Sequence, residues 1–306
     1  MKKNKKKFLS SIFLLLLLTL YLFTSDYFID EEKEDKSYQE RKVEDVDTVS
    51  NLSKLNVYFM DVGQADSILI SYDNKNMLID AGNNEDGMKL VKYFKDKGIS
   101  SFEYVVATHA HEDHIGGMDD IIDNFDISTF FMPKQITTTK TFEDMVDALD
   151  RNEVSFVNPS IGYTFNLDDI SFEIIYVSDS ETSDLNDTSI VLKLVYLNNS
   201  FLFMGDASNN VEKQIIDKDL KSDVLKVGHH GSNTSSSAKF IKKVHPKYAV
   251  ISVGSFNNYN HPREITLKKL EYIGSKIYRT DLDGTIHMES DGKEINVETL
   301  KTDTNG

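Results

Sequence analysis

From Leu55 onward, short β-rich runs at Asn56–Met60, Ser67–Tyr72 and Asn76–Ile79 are each closed by Asp, Gly or Asn, which predicts an antiparallel meander. Apolar positions at helical spacing follow over Gly87–Lys97. Tyr104–Thr108 then reads as a short buried strand, Met118–Asn124 as a helix and Thr129–Met132 as a strand. Phe142–Arg151 reads as a helix with Phe142, Met145 and Leu149 on one face. Strands are expected near Glu153–Val157, Ser171–Val177, Ser189–Leu197 and Phe201–Met204, followed by a helix at Asn209–Lys218. The last third repeats the alternation: strand Val224–Val227, helix Ser235–Val244, strand Tyr248–Val253, helix Pro262–Ile273, and strands near Thr285–Glu289 and Glu294–Val297. Two strand-rich halves that each carry helices predict an α/β (α+β) chain folded as an αββα sandwich, two sheets face to face with helices outside.

The pattern before Leu55 is different. Lys2, Lys3, Lys5, Lys6 and Lys7 precede an apolar run from Phe8 to Phe23 broken only by Ser10, Ser11 and Thr19. Lysines before an apolar run place that end in the cytoplasm and the rest outside. Residues 1–25 are therefore expected to be an uncleaved signal anchor or a signal peptide, because Thr24-Ser25-Asp26 offers no small-x-small cleavage site. The protein would then be a single-pass membrane protein with its domain outside, or secreted. Residues 26–53, rich in Asp, Glu, Lys, Ser and Gln, read as a polar linker, and 54–300 as the folded domain.

Composition narrows the chemistry. The 34 basic against 50 acidic residues give −16, and setting aside the five N-terminal lysines leaves about −21. The body thus lacks the bulk positive charge that holds phosphate backbones, and any nucleic-acid chemistry rests on a local site. The absence of cysteine excludes disulfides, thiolate metal sites and cysteine nucleophiles.

The Tyr104–Thr108 strand runs directly into His109-Ala110-His111-Glu112-Asp113-His114, then Ile115-Gly116-Gly117. Three of the chain's eight histidines and an Asp at such close spacing are expected to converge on metal, with His109 and His111 on one ion and Asp113 and His114 turned toward another. Imidazole and carboxylate suit zinc, manganese and iron. Asp206 ends the apolar strand Phe201–Met204, a position from which a carboxylate can bridge two ions. His229 and His230 end Val224–Val227, and Asp80 ends Asn76–Ile79, from where it could hydrogen-bond a ligand histidine.

The ordered set Asp80, His109-x-His111-x-Asp113-His114, Asp206 and His229 resembles the metallo-β-lactamase superfamily. More narrowly, Asp61-Val62-Gly63-Gln64-Ala65-Asp66-Ser67, His229-His230-Gly231-Ser232, Asn260-His261-Pro262 and Thr280-Asp281-x-Asp283-Gly284 resemble the extracellular metallo-hydrolase domain of ComEC competence proteins, over about residues 53–299. A single apolar segment stands where those proteins have a multi-helix membrane channel, which removes most of the implication of DNA uptake. The resemblance implies two divalent ions, zinc or manganese: His109 and His111 on the first, Asp113, His114 and His229 on the second, Asp206 on both. His230 is the alternative to His229, since adjacent side chains on an extended backbone point oppositely. His261 would donate a proton to the leaving group or contact phosphate.

Two departures stand out. Ala65 replaces the Gly of Gly-Gln-Gly-Asp, and residues 115–205 contain no histidine where a full ligand set has one. Asn186 or Asp187, in Leu185-Asn186-Asp187-Thr188-Ser189, is expected to stand in as an oxygen ligand, loosening the first site and favouring manganese or magnesium. Two ions sharing a water lower its pKa and clamp an in-line displacement. The expected function is an exported metal-dependent hydrolase using that metal-bridged hydroxide on a phosphodiester, DNA among the candidates. A β-lactam or other small-molecule ester is the enzyme alternative, and a metal-degenerate binding module the alternative of another class. The only other contact implied is the membrane, through the N-terminal segment.

Overall fold

The computed structural model describes residues 53–179 and 184–301. The apolar N-terminal segment and nearly all of the polar linker lie outside the described residues. The first half carries β1 (Leu55–Phe59), β2 (Ser67–Tyr72), β3 (Lys75–Ala81), α1 (Gly87–Asp96), β4 (Ser101–Val106), α2 (Glu112–Ile115), α3 (Met118–Asn124), β5 (Asp126–Phe131), α4 (Lys140–Arg151) and β6 (Phe156–Val157). The middle carries β7 (Thr164–Leu167), β8 (Ile170–Tyr176), β9 (Val191–Tyr196), β10 (Asn199–Phe203) and α5 (Asn209–Ile215). The last third adds β11 (Val224–Lys226), α6 (Ala238–Val244), β12 (Tyr248–Ile251), α7 (Glu264–Tyr272), β13 (Lys276–Arg279), α8 (Thr280–Asp283), β14 (Thr285–Ser290) and β15 (Ile295–Leu300).

These strands form an eight-stranded sheet in the order β15-β14-β1-β2-β3-β4-β5-β6 and a seven-stranded sheet in the order β13-β12-β11-β10-β9-β8-β7. Strand alternation sorts the apolar side chains into layers. Val57, Phe59, Ile70, Met77 and Ile79 of the first sheet pack in one core with Phe172, Leu194, Phe201 and Phe203 of the second. The opposite face of the first sheet, with Leu69, Leu78 and Val105, is covered by Leu90 and Phe94 of α1, Ile121 of α3 and Met145 and Leu149 of α4. The outer face of the second packs Leu202, Leu225 and Ala249 against Val211, Phe240 and Leu270 from α5, α6 and α7. The four layers are αββα, as the sequence predicts.

The meander β1–β2–β3 is antiparallel, whereas β3 with β4, and β10 with β11, are parallel. The chain ends of these parallel strands lie at one rim of the sandwich, and there the His- and Asp-bearing turns begin. The sequence pattern misses two strands, β7 and β13, short polar-ended runs such as Lys-Ile-Tyr-Arg with few apolar positions to count. Near Glu153–Val157 only Phe156–Val157 pairs, since Glu153 turns the chain with φ 54°. Two helix starts follow their caps: Thr139 Oγ1 accepts from Phe142 N, so α4 begins at Lys140, and Ser237 Oγ accepts from Phe240 N, so α6 begins at Ala238.

Gly116 and Gly117 let the histidine turn sit on the end of β3. A Cβ at Gly116 would lie 2.3 Å from the Asn83 carbonyl carbon, and one at Gly117 2.6 Å from the Ala81 carbonyl oxygen. Both obstacles are backbone and cannot rotate away. Gly117→Ala is therefore expected to destabilise the fold by about 1–3 kcal/mol, the usual cost of overpacking, read as a lower urea midpoint at unchanged slope.

Candidate metal centre

His109, His111, Asp113 and His114 lie on the turn after β4 and on α2, Asp206 follows β10, and His230 follows β11. One donor atom from each of Asp113, His114, Asp206 and His230 lies within 4.8 Å of every other. His114 and Asp206 are buried, and Asp113 keeps 30% of its side chain exposed. His230 Nε2 lies 3.1 Å from Asp113 Oδ2 and 3.7 Å from Asp206 Oδ2. His114 Nε2 and Asp206 Oδ1 face each other at 3.3 Å, yet both are enclosed without a hydrogen-bond partner. Enclosed polar atoms left unbonded are costly. A cation among these nitrogen and oxygen donors would satisfy them together, and their types suit zinc, manganese or iron.

The ligand nitrogens are aimed from behind. Asp80, at the end of β3 with φ 58°, accepts hydrogen bonds from Thr108 N (2.8 Å) and Thr108 Oγ1 (2.7 Å) and holds His114 Nδ1 at 2.7 Å, leaving Nε2 to point inward. His230 Nδ1 donates to the Ser252 carbonyl at 2.9 Å. The same nitrogen lies 3.6 Å from Asp66 Oδ1, while Asp66 Oδ2 pairs with Lys226 Nζ at 2.7 Å, a fully buried ion pair. Composition and motif spacing do not assign Asp66 and Lys226 a role. The available signal was Lys226 itself, a charge inside the apolar run Val224–Val227 that requires a buried partner.

The structure corrects the basis for choosing between His229 and His230. The backbone there is not extended: His229 (φ 51°, ψ 49°), His230 (φ 49°, ψ 28°) and Gly231 (φ 79°) form a left-handed turn. Left-handed conformations in two consecutive non-glycine residues are strained and typical of functional sites. His230 joins the compact donor group. His229 stands beside it, its Nε2 3.7 Å from Asp206 Oδ2 and its Nδ1 3.1 Å from Thr234 Oγ1. His109 and His111 adjoin the group without belonging to it: His109 Nε2 lies 3.0 Å from His111 Nδ1, and the His109 ring centroid is 4.1 Å from that of His114.

Of the two candidates for the missing histidine, the Asp187 carboxylate is committed elsewhere, to the Ser208 hydroxyl and to Asn210 Nδ2 (3.4 Å). Asn186 Oδ1 is enclosed without a hydrogen-bond partner. His261 lies near His229, with ring centroids 5.6 Å apart, and its Nδ1 is likewise enclosed and unbonded.

Burial lowers the pKa of His109, aided by His114, and keeps the imidazole neutral. Burial also pushes His261 down to about 4, with His229 and His230 adding to the effect. His114 goes the other way: burial opposes its protonated form, but Asp206, Asp80 and Asp113 outweigh that and hold its pKa well above the ordinary value. For His230, Asp206, Asp113 and Asp66 likewise overcome burial and raise the pKa. This surplus of negative charge favours any cation, proton or metal.

Two facing sheets under outer helices, with a His/Asp cluster at the ends of their parallel strands, define a metal-dependent hydrolase fold. The sequence profile of the Metallo-beta-lactamase superfamily matches residues 60–255, and the chain belongs to that superfamily. It is 28% identical over 250 residues to ComE operon protein 3 of Bacillus subtilis, covering 75% of this chain and 32% of the relative. It is 30% identical over 232 residues to Competence protein ComA of Neisseria gonorrhoeae, covering 74% of this chain and 31% of that one. The chain thus spans about a third of the length of these competence proteins. Among solved structures, the metallo-beta-lactamase fold protein YhfI of Bacillus subtilis superimposes with a TM-score of 0.54 at 10% identity, over 78% of this chain and all of that one. The diiron β-hydroxylase CmlA of Streptomyces venezuelae does so at 0.51 and 11% identity, over 81% of this chain and 54% of that one.

Two outcomes follow from the geometry. His230→Ala should weaken metal binding far more than His229→Ala, measured by competition with a chromogenic chelator. Because the surrounding carboxylates raise the pKa of His114 and His230, and a metal must displace any proton on its ligand nitrogens, metal affinity should rise with pH and binding should release protons, seen as a buffer-dependent calorimetric enthalpy.

Proposed function

We propose that the protein is an exported phosphodiesterase whose metal centre comprises His109, His111, Asp113, His114, Asp206 and His230, with Asn186 as an additional oxygen donor. The carrying observation is the position of Asp206: its Oδ1 faces His114 Nε2 at 3.3 Å, while its Oδ2 lies 3.7 Å from both His229 and His230. Asp206 thus faces both buried imidazoles of the donor group, and the residues that would hold a cation there are Asp113, His114, Asp206 and His230. Bound metals would lower the pKa of a water and offset charge at the displaced oxygen. The chain's own residues do the rest. Asp80 fixes the His114 ring, and the Ser252 carbonyl fixes the His230 ring. His261, neutral in the free protein, has an unbonded Nδ1 able to take a proton when an anionic ester arrives and to pass it to the departing alcohol. In the balanced step water adds to phosphorus, the bond from phosphorus to the leaving oxygen breaks, and that oxygen gains a proton. The likeness to competence proteins, of which the chain spans about a third, bears on the type of bond alone and favours a phosphodiester over an acyl substrate without specifying a polynucleotide.

Export rests on the lysine-then-apolar order of residues 1–25. Among the described residues, no helix is long and apolar enough to cross a membrane. Protease added to intact cells should digest the domain. Protection that ends only on lysis would overturn this topology.

The purified protein should hydrolyse bis(p-nitrophenyl) phosphate, lose that activity on chelation and leave nitrocefin intact. The reverse preference would favour the acyl reading, and no activity with tightly bound metal the binding-module reading. His114→Ala should lower kcat by at least about a hundredfold, as expected for loss of a metal ligand. With an amide oxygen in place of an imidazole, metal should titrate back in two unequal steps, activity should appear in the weaker one, and manganese should restore more than zinc. Asn186→His should tighten the weaker step. A single tight step with full activity would remove Asn186 from the centre.

A further inference from the structure

A cleft of about 860 Å³ opens beside the metal centre and shares Asp113 with it. Its wall carries Asp61, Glu85, Asp86 and Glu112, and only one cation, Lys89. Lys89 is already used: its Nζ lies 2.9 Å from Asp86 Oδ1. Asp61, Glu85 and Glu112 have no ion-pair partner among the described residues. Glu112 accepts from the neutral amide of Asn84 at 2.8 Å, and Asp61 accepts at most a 3.4 Å contact from Gly63 N. Two aromatic rings complete the lining, Tyr93, one face of which carries Lys97 Nζ at 5.1 Å, and Tyr259, which stacks on His261 with centroids 5.7 Å apart, so that each ring has one face left for the cleft. The Tyr93 hydroxyl oxygen is shielded from solvent and has no hydrogen-bond partner. Met60, Val62 and Leu90 supply apolar floor.

Unneutralised carboxylates beside aromatic faces repel a second phosphate and attract a cation. Building on the phosphodiesterase reading above, we propose that this cleft holds the alcohol portion of the substrate and selects an alcohol that carries an ammonium group. The substrate class is then a zwitterionic phosphodiester: its phosphate sits at the metal centre, and its positively charged amino alcohol lies against Asp61, Glu85, Tyr93 and Tyr259. A polynucleotide, with a further anion at each step, meets the wrong charge here. The chain's overall excess of 50 acidic over 34 basic residues acts in the same direction.

The test compares the full-length protein on p-nitrophenyl phosphorylcholine, p-nitrophenyl phosphorylethanolamine, bis(p-nitrophenyl) phosphate and the p-nitrophenyl ester of thymidine monophosphate. At least one ammonium diester should exceed the two uncharged-alcohol diesters by about tenfold in kcat/KM, through KM. A preference for the choline ester would assign selection to the aromatic faces, and one for the ethanolamine ester to the carboxylates. The double variant Asp61→Asn, Glu85→Gln changes two exposed groups outside the metal centre. It should erase the preference and leave bis(p-nitrophenyl) phosphate turnover unchanged. Hydrolysis of all four esters without preference would overturn the inference while the phosphodiesterase reading stands. If no diester is cleaved, that reading fails, and calorimetric titration with choline alone decides the inference. Choline binding that the double variant weakens would support it, and absence of binding to the wild type would overturn it.

Discussion

The Asp80 carboxylate, 1% exposed, takes hydrogen bonds from the backbone and hydroxyl of Thr108 and from His114 Nδ1. These three bonds join the end of β3, the end of β4 and α2, so the metal-facing nitrogen of His114 is placed by the register of two parallel strands. Burying a carboxylate is costly unless its oxygens are satisfied, and removing one member of such a buried pair typically costs about 3–5 kcal/mol. The Thr108 bonds share that burden, which leaves the His114 ring fixed without drawing on a metal. Gly116 and Gly117 close the arrangement by letting α2 approach the backbone of Ala81 and Asn83. The fold and the site are therefore one constraint: α2 cannot shift without unpairing Asp80.

A parallel device operates under the second sheet. Lys226 and Asp66, both at most 1% exposed, pair at 2.7 Å at the end of β11 and behind His230. Asp66 divides its oxygens between this ammonium and the His230 side, and the Ser252 carbonyl completes the hold on that ring. The two rear carboxylates, Asp80 and Asp66, orient histidines from opposite sheets toward the same carboxylate, Asp206. The strained left-handed pair His229–His230 persists because these contacts determine its position.

The layer order was legible because the apolar runs alternate cleanly, with Met77 and Ile79 facing the inter-sheet core and Leu78 the helices. The His/Asp spacing singled out Asp113, His114 and Asp206, which the structure gathers with His230, because short motifs at strand ends need little tertiary information, whereas His109, His111 and His229 stand beside that group. What the sequence could not yield depends on backbone conformation and long-range partners. The choice between His229 and His230 turned on a left-handed turn that no propensity rule assigns to consecutive histidines. Asn186 and Asp187 are neighbours in sequence, and only the Ser208 and Asn210 contacts show which carboxyl or amide oxygen is occupied. The strands β7 and β13 carry too few apolar residues to reveal themselves, and pair because their neighbours supply the buried face.

Charge gives the site a direction. Asp80, Asp113 and Asp206 raise the pKa of His114, and Asp113 and Asp206 that of His230, so the centre favours cations, and divalent ions there would turn its outward face positive toward a phosphate. The neighbouring cleft keeps its carboxylates, because Lys89 is committed to Asp86 and no other basic side chain lines the wall. With cations bound, a positive centre beside a negative cleft would orient a dipolar substrate, anionic end toward the His/Asp group and cationic end toward Asp61 and Glu85. The same asymmetry works against a uniformly anionic chain: what the metal centre attracts, the adjoining wall repels. Net charge, ion pairing and cleft lining thus point to the same sorting by sign.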